Sequence, residues 1–233
     1  MKTWVLKYYM AMKFIFTMRN SICLLLFLLF PLSLKAQSDP WQAWDEEVVS
    51  TLNTAVQTTY LNQEEKKVIL FMNMARHDGL LFSETFLDRY IQENRLPSNN
   101  YIRSLRRDLK KVQGLTPLQP EEDLTSVAQG HAQLTGKKGT TGHGSFKKRF
   151  EALMGRPYTH VGENCSYGYE RAIDIVISLL IDEGIKDLGH RKNILAADFN
   201  SIGVAIRPHK TYRVNCVMDF GSQDRSTLND IPY

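Results

Sequence analysis

The 233-residue chain has room for one large domain or two small ones, and its 43% hydrophobic and 23% charged residues are typical of a globular protein. This balance excludes a disordered, collagenous or coiled-coil chain. The formal net charge of +4 is misleading, because the only charged residues before Ala36 are five Lys and Arg side chains. Without these five, the 29 basic side chains fall to 24 against 25 acidic ones, so we expect no nucleic acid as a partner.

The first 36 residues have the features of a secretory signal peptide. Basic residues precede the apolar run at residues 22–30, Pro31 closes that run, and Ala36 supplies a small residue for cleavage. A membrane anchor is the alternative, but a span needs about 20 apolar residues, and Arg19 and Pro31 bound a much shorter run. We therefore expect an exported chain, in the periplasm or outside the cell, with no stable membrane anchor after cleavage.

Cleavage would remove Cys23 and leave Cys165 and Cys216 as the only cysteine pair. In an oxidising compartment these two residues could form a single disulfide. Two buried thiols are the alternative. The sequence leaves this choice open, because it does not fix the distance between the two Cα atoms.

Helical patterns dominate the first two thirds of the exported chain. Residues 37–61 form a polar lead-in, in which Trp41 and Trp44 are expected to pack on the domain that follows. Asn62 and Glu65 have the spacing of a capping box, and the apolar periodicity after them predicts a helix that ends at Gly79. Further helices are predicted over residues 86–94, 101–112, 121–135 and 170–183.

The last third of the chain changes to strand periodicity. Apolar residues alternate over 202–206 and 212–220, and a turn at 208–211 between them predicts a β-hairpin. Residues 136–145 are rich in Gly and Thr and predict a loop, and residues 222–233 form a polar tail. Helices first and antiparallel strands late predict an α+β layered domain.

Four polar positions stand out as candidates for a functional site. His143 lies in the glycine-rich loop, Glu163 precedes a predicted strand, Asp182 lies at a helix end with Glu183 beside it, and His190 lies in the loop beyond. Two imidazoles and two carboxylates suit a water-lined cleft, and they also suit a divalent metal such as zinc. None of them lies in a tightly spaced metal motif, so spacing alone is weak evidence.

Seven short motifs follow one another along the chain: NMAR at 73–76, HA at 131–132, GH at 142–143, GEN at 162–164, LLIDEG at 179–184, GHRKNIL at 189–195 and CVMDF at 216–220. Together they resemble the CAP superfamily, which includes the cysteine-rich secretory proteins, antigen five and the plant pathogenesis-related proteins. The chain is most similar to the bacterial SCP-like branch of that superfamily. The resemblance implies a CAP domain over residues 62–221, folded as an α-β-α sandwich with a central antiparallel sheet.

The resemblance also implies a central cavity lined by a His, Glu, Glu, His tetrad, which binds a divalent metal in some members. In this sequence the tetrad falls on His143, Glu163, Asp182 and His190. Zinc or another divalent metal would be held by His143, His190 and Glu163. The second acid departs from the family pattern of glutamate: counting along the helix favours Asp182, and Glu183 is the alternative.

Each candidate also has a purely structural explanation. A neutral imidazole that bonds a backbone carbonyl would pin the loops at His143 and His190. Glu163 would then cap backbone amides. His131 lies on the apolar stripe of its helix, so a core or rim position suits it better than a ligand role.

We expect a secreted binding module whose partner is a small apolar ligand, a peptide or a cell-surface glycan. A metal-dependent hydrolase of the periplasm or cell surface, in particular a peptidase, is the alternative. A structural envelope protein braced by the tetrad is the second alternative. Ser145 and Cys165 each lie two residues after a tetrad member, but neither is a convincing nucleophile, so the question of enzyme activity is left open.

Overall fold

The computed structural model describes residues 39–151, 153 and 157–223, so the predicted signal peptide lies outside the described residues. The helices are α1 (Glu46–Leu52), α2 (Gln63–His77), α3 (Gly79–Phe82), α4 (Asp88–Glu93), α5 (Asn100–Leu109), α6 (Glu122–Lys138), α7 (Phe146–Phe150), α8 (Ala172–Ile181) and α9 (Gly189–Leu195). A 3-10 turn at Pro40–Ala43 and a π-helical turn at Ser83–Leu87 complete them. The strands are β1 (Gln119–Pro120), β2 (Tyr158–Tyr167), β3 (Ser201–His209) and β4 (Arg213–Gln223). No helix in the described ranges is long and apolar enough to cross a membrane.

Helix α2 begins with the predicted capping box. The Asn62 side chain accepts a hydrogen bond from the backbone N–H of Glu65, and the Glu65 carboxylate accepts one from the backbone N–H of Asn62. The other Glu65 oxygen accepts from the backbone N–H of Ile206 and from the guanidinium of Arg207. The cap of α2 therefore also ties the helix to strand β3.

The sheet has the strand order β1-β3-β4-β2. Strands β3 and β4 form the predicted hairpin, and β2 pairs antiparallel with the other side of β4. The predicted central antiparallel sheet is formed by β2, β4 and β3, and the two-residue strand β1 adds to its edge in parallel with β3. Residues 162–164, expected before a strand, lie inside β2, and Ser222 and Gln223 extend β4 into the predicted tail.

The two faces of the sheet are covered by different helices. One face shares its core with α2 and α8 through Ile202, Val204, Cys216, Met218 and Phe220. The opposite face packs against α6 through Ala205, Val217 and Cys165. A Cβ atom on Gly203 would lie 2.1 Å from the backbone nitrogen of Thr125, so only glycine allows α6 this close to β3. The predicted α-β-α sandwich is confirmed.

The two cysteines are free thiols on opposite faces of the sheet. Cys165 lies across from Val217, whereas Cys216 lies across from Ser166. Because successive side chains of a strand point to opposite faces, the Cys165 thiol faces α6 and the Cys216 thiol faces α2 and α8. The central sheet backbone separates the thiols, and the disulfide is not formed.

Two helix ends differ from the sequence-based prediction. Helix α6 extends through Lys138 into the predicted loop, and Gly139 ends it in the left-handed conformation with φ 71°. Helix α8 ends at Ile181, because Asp182 itself adopts a left-handed conformation with φ 57°. The lead-in packs on the domain through Trp41, whose ring centroid lies 5.0 Å from that of Phe86.

Candidate functional site

The first imidazole and carboxylate pair joins the glycine-rich loop to the edge strand β2. The Nδ1 atom of His143 lies 2.8 Å from Oε1 of Glu163. The imidazole side chain is 51% exposed, whereas the carboxylate side chain is only 1% exposed. The His143 imidazole is therefore accessible to a ligand from solvent, whereas the Glu163 carboxylate that it bonds is buried.

Backbone contacts pin the loop that carries His143. The backbone oxygen of Gly142 lies 2.9 Å from Nε2 of His131, and the backbone N–H of Gly142 donates to the hydroxyl of Tyr167. Gly142 and Gly144 both have positive φ, at 89° and 49°, and flank His143. His131 is 2% exposed, which agrees with the prediction of a core histidine.

Arg149 is a site residue that the sequence did not reveal. Its Nη1 atom lies 2.8 Å from Oε2 of Glu163, and its Nη2 atom lies 3.0 Å from Oε1. The same Nη2 donates to the backbone oxygen of His143 at 2.7 Å. The rings of Phe146 and Phe150 lie against the guanidinium, with centroids 5.9 and 5.7 Å from its central carbon. In the sequence FKKRF, the two phenylalanines were the one sign that Arg149 is less exposed to solvent than the two lysines before it.

These contacts set the charge states of the site. Burial opposes ionisation of Glu163, but hydrogen bonds from His143 and Arg149 outweigh it and lower the pKa of the carboxyl. The hydrogen bond to Glu163 in turn raises the pKa of His143. Burial lowers the pKa of His131. Glu163 is thus an ionised carboxylate at neutral pH, between a guanidinium and an imidazole.

A second acid, Asp219, lies directly across from Glu163 in the pairing of β2 with β4. It is fully buried, and neither carboxyl oxygen accepts a hydrogen bond from a described residue, but as a protonated acid it can share a hydrogen bond with the Glu163 carboxylate. Burial and the neighbouring Glu163 charge raise the pKa of Asp219 well above its usual range. Asp219 therefore keeps its proton to a higher pH than an exposed aspartate does. The sequence signal for Asp219 was an acidic residue inside an apolar strand. In the sequence, that residue stood out only as part of the CVMDF motif.

Replacing Asp219 with asparagine should therefore change how stability depends on pH. The folded state keeps the Asp219 proton, whereas the unfolded chain releases it above about pH 4. Stability from this group is complete below that pH and is lost as the pH rises towards the folded pKa. From pH 4 to pH 8, the free energy of unfolding of Asp219→Asn should rise relative to that of the wild type by more than about 1 kcal/mol. Urea unfolding at both pH values measures the gain.

The exposed Asp187 provides the control. Asp187→Asn should leave the pH dependence of stability unchanged. An equal difference between Asp219→Asn and the wild type at both pH values would show that Asp219 is ionised in the folded protein.

The second pair lies where α8 meets α9. Oδ1 of Asp182 lies 2.7 Å from Nδ1 of His190, and Oδ2 accepts from the backbone N–H groups of His190 and Arg191. The Asp182 carboxylate thus caps the first turn of α9 and also orients the imidazole. Glu183 is exposed and accepts a hydrogen bond from Asn99. Of the two neighbouring acids, Asp182 is the one that contacts a predicted histidine.

Strand β2 contacts both halves of the predicted tetrad. Asn164 follows Glu163, so its side chain points to the opposite face of the strand. It donates to the backbone oxygen of His190 and accepts from the side chain of Asn193. The four predicted residues form two imidazole and carboxylate pairs, and no hydrogen bond or ion pair between described residues joins one pair to the other.

The contacts of Glu163 do not fit a metal ligand. Arg149 and His143 already occupy its two oxygens, and the guanidinium charge repels a second cation. The two imidazoles fit better. Each bonds a carboxylate through Nδ1, which leaves Nε2 free of that contact, as in histidines held by outer carboxylates in metal sites. If a metal binds at either pair, Nε2 of His143 or of His190 is the atom that would hold it, and the metal would supply a Lewis acid.

Cys165 does not have the surroundings of an activated nucleophile. Its sulfur lies 3.9 Å from Nδ1 of His143, a nitrogen that already bonds Glu163. Burial, followed by the charge of Glu163, raises the pKa of the thiol far above neutral pH. The residue is therefore a buried neutral thiol, which is one of the two alternatives that the sequence left open.

Comparison with known proteins identifies the family. Residues 98–220 match the family model of CAP, the cysteine-rich secretory protein family, and this match covers more than half of the chain. The chain belongs to this family, so the predicted membership is confirmed.

The similarity to individual relatives is more limited. The Bacillus subtilis protein YkwD is 33% identical over 99 residues, which cover 41% of this chain and 37% of that protein. The match thus spans little more than a third of the length of this relative. The bacterial origin of the relative agrees with the predicted bacterial branch of the family. Two solved structures are more distant. An outer surface protein of Borrelia burgdorferi is 18% identical, with a TM-score of 0.40 and coverage of 61% of this chain and 96% of that chain. Venom allergen-like protein 4 of Schistosoma mansoni is 14% identical, with a TM-score of 0.42 and coverage of 70% and 91%.

Proposed function

We propose that the protein is an exported CAP-domain binding module that contacts its ligand through His143. The observation that carries this proposal is the half-exposed imidazole held on a sealed carboxylate. Because Glu163 raises the pKa of His143, the ring more readily carries a second proton and can donate hydrogen bonds. A ligand with carbonyl, carboxylate or hydroxyl oxygens would accept them. A peptide or a cell-surface glycan therefore suits the site better than a wholly apolar molecule.

The charges next to His143 support the same class of ligand. Lys147 and Lys148 on α7 are exposed, and α7 is tied to the His143 loop through Arg149. The local field is therefore positive, which favours an oxygen-rich or anionic partner. Export to the periplasm or cell surface rests on the signal-peptide pattern of the first 36 residues and on family membership.

The alternatives have weaker support. A peptidase needs an activated water or nucleophile, and the one thiol beside His143 is buried and neutral. The structural-brace alternative has one specific observation in its favour, because Asp182 and His190 hold the start of α9. We therefore assign a bracing role to the second pair and ligand contact to the first.

Binding to arrays of peptides and cell-wall glycans, followed by calorimetry with the best ligand, tests this function. The wild type should bind saturably, and His143→Ala should weaken binding by about tenfold or more, the loss of a charge-assisted hydrogen bond. His160→Ala, which removes another exposed histidine, is the matched control and should bind as the wild type does.

Two further arms separate the alternatives. If the ligand binds equally well to His143→Ala, the contact lies elsewhere and the proposal fails. Repeating the titration with a chelator and then with zinc tests metal dependence. Cleavage of a peptide ligand that vanishes in folded His143→Ala would favour the hydrolase.

A further inference from the structure

A set of metal-binding atoms lies buried behind the exposed His143 ring. His131, Glu163 and Cys165 each offer one ligand atom, these atoms all lie within 4.8 Å of one another, and all three residues are buried. The Nε2 atom of His131 lies 3.9 Å from Oε1 of Glu163 and 2.9 Å from the backbone oxygen of Gly142, whereas Nδ1 has no hydrogen-bond partner among the described residues. Imidazole nitrogen, thiolate sulfur and carboxylate oxygen are together a donor set for zinc. Sequence reasoning had placed none of this set except Glu163 at a metal.

The arginine that neutralises this cluster stands in the way of a metal. Arg149 contacts both Glu163 oxygens at 2.8 and 3.0 Å, and its side chain is only 16% exposed. Phe146 and Phe150 lie against the guanidinium and limit the water that could screen its charge. A divalent cation bound to Glu163 would lie close to this fixed positive charge, and their repulsion in a partly dry site is strong.

The charges balance in either of two ways. With Arg149 in place, its positive charge offsets the Glu163 carboxylate. With a divalent cation in place, the carboxylate and a Cys165 thiolate would offset both of its charges, and the thiol proton would be released to solvent. The negative charge of the cluster can therefore neutralise either the Arg149 guanidinium or a divalent metal ion, but not both together.

We propose that His131, Glu163 and Cys165 form a latent site for a zinc-like divalent cation and that Arg149 is its resident counter-ion. Arg149 and the metal are alternative occupants of one buried position. This site shares Glu163 with the proposed ligand contact, but it uses the buried His131 and Cys165 in place of the exposed His143. An arginine suits this position better than a lysine, because its planar fork contacts both carboxylate oxygens at once.

Cobalt(II) is the probe, because a cobalt–thiolate bond gives a charge-transfer absorption that histidine and carboxylate ligands do not give. Purified wild-type protein, kept reduced with a phosphine, should show no such absorption at one equivalent of cobalt. Arg149→Gln should show it and should bind cobalt about tenfold or more tightly than the wild type, because the competing charge is gone. The added Cys165→Ser substitution should abolish the absorption.

Arg171→Gln is the matched control, because Arg171 makes a two-pronged contact with Asp174 on the surface, at 2.7 Å for both bonds. It should leave cobalt binding unchanged. Arg149→Met, which keeps apolar packing against the phenyl rings, should bind cobalt as Arg149→Gln does. Circular dichroism checks the folding of each variant, and the second variant serves if the first does not fold. The proposal is overturned if a folded Arg149 variant gives no thiolate absorption, or if the wild type gives the same absorption at the same cobalt concentration.

Discussion

Replacing Arg76 with methionine should lower the free energy of unfolding by roughly 3–5 kcal/mol, a loss usually seen when a buried polar network is broken. Arg76 lies on α2 with no exposed surface. Its guanidinium donates five hydrogen bonds to the backbone oxygens of four residues: Thr116, which accepts two, and Ile194, Ala196 and Phe199. Methionine would leave all four carbonyls without this donor.

The Arg76 network joins three parts of the fold. Thr116 precedes β1, and the other acceptors lie at the end of α9 and in the segment before β3. Burial lowers the pKa of Arg76 to about 10, so the side chain is still charged at neutral pH. The backbone carbonyls accept its hydrogen bonds, and the charge of Asp198 also stabilises the guanidinium. The Arg residue of the NMAR motif is thus a structural centre of the fold.

Urea unfolding of Arg76→Met against the wild type measures the loss. Arg103→Met on α5 is the control, because that guanidinium is exposed and bonds only Ser98 and Asn100. It should cost less than about 0.5 kcal/mol. A stability for Arg76→Met within about 1 kcal/mol of the wild type would contradict the expectation and would mean that water replaces the guanidinium.

Local patterns in the sequence predicted the elements that depend only on neighbouring residues. Asn62 and Glu65 are three residues apart, so their capping box is readable without knowledge of the fold. The hairpin of β3 and β4 is likewise local, because its two alternating runs are joined by a short turn. Motif order then supplied the family and with it the layered architecture.

Contacts set by strand register could not be read in the same way. The pKa of Asp219 is raised because the register of β4 buries its side chain and places it opposite Glu163, and a shift of one residue would turn it to the other face. The same register separates the two thiols. Arg149 reaches Glu163 from a short helix 14 residues earlier, and the local sequence pattern around it does not specify that contact.

The motifs also gave the members of the tetrad without their pairing. His143 with Glu163 and Asp182 with His190 are separate contacts, and the carboxylates do different work. Glu163 balances a guanidinium, whereas Asp182 accepts backbone hydrogen bonds at a helix start. Residue type and order could not distinguish these roles, because both are carboxylates beside a histidine.

The Glu163→Gln variant should lose about 3 kcal/mol of unfolding free energy, because it leaves the half-buried Arg149 charge without its partner. His143→Ala should lose less than about 1 kcal/mol, because its side chain is 51% exposed and solvent weakens the interaction. The small His143 contribution has a defined pH dependence. Since the folded pKa of His143 is raised, the stabilisation is complete below about pH 6.5 and is lost as the pH rises through the folded pKa.

Urea unfolding at pH 5.5 and pH 8 measures both variants, and a double variant tests the cause. Arg149→Met with Glu163→Gln removes both charges together, so it should be more stable than Glu163→Gln alone, as expected when a buried ion pair is replaced as a unit. If the double variant is less stable than Glu163→Gln, the loss comes from packing around α7 rather than from an unpaired charge. If His143→Ala is instead the more damaging single change, the exposed imidazole is the brace, and His143 would no longer be free to serve as the ligand contact.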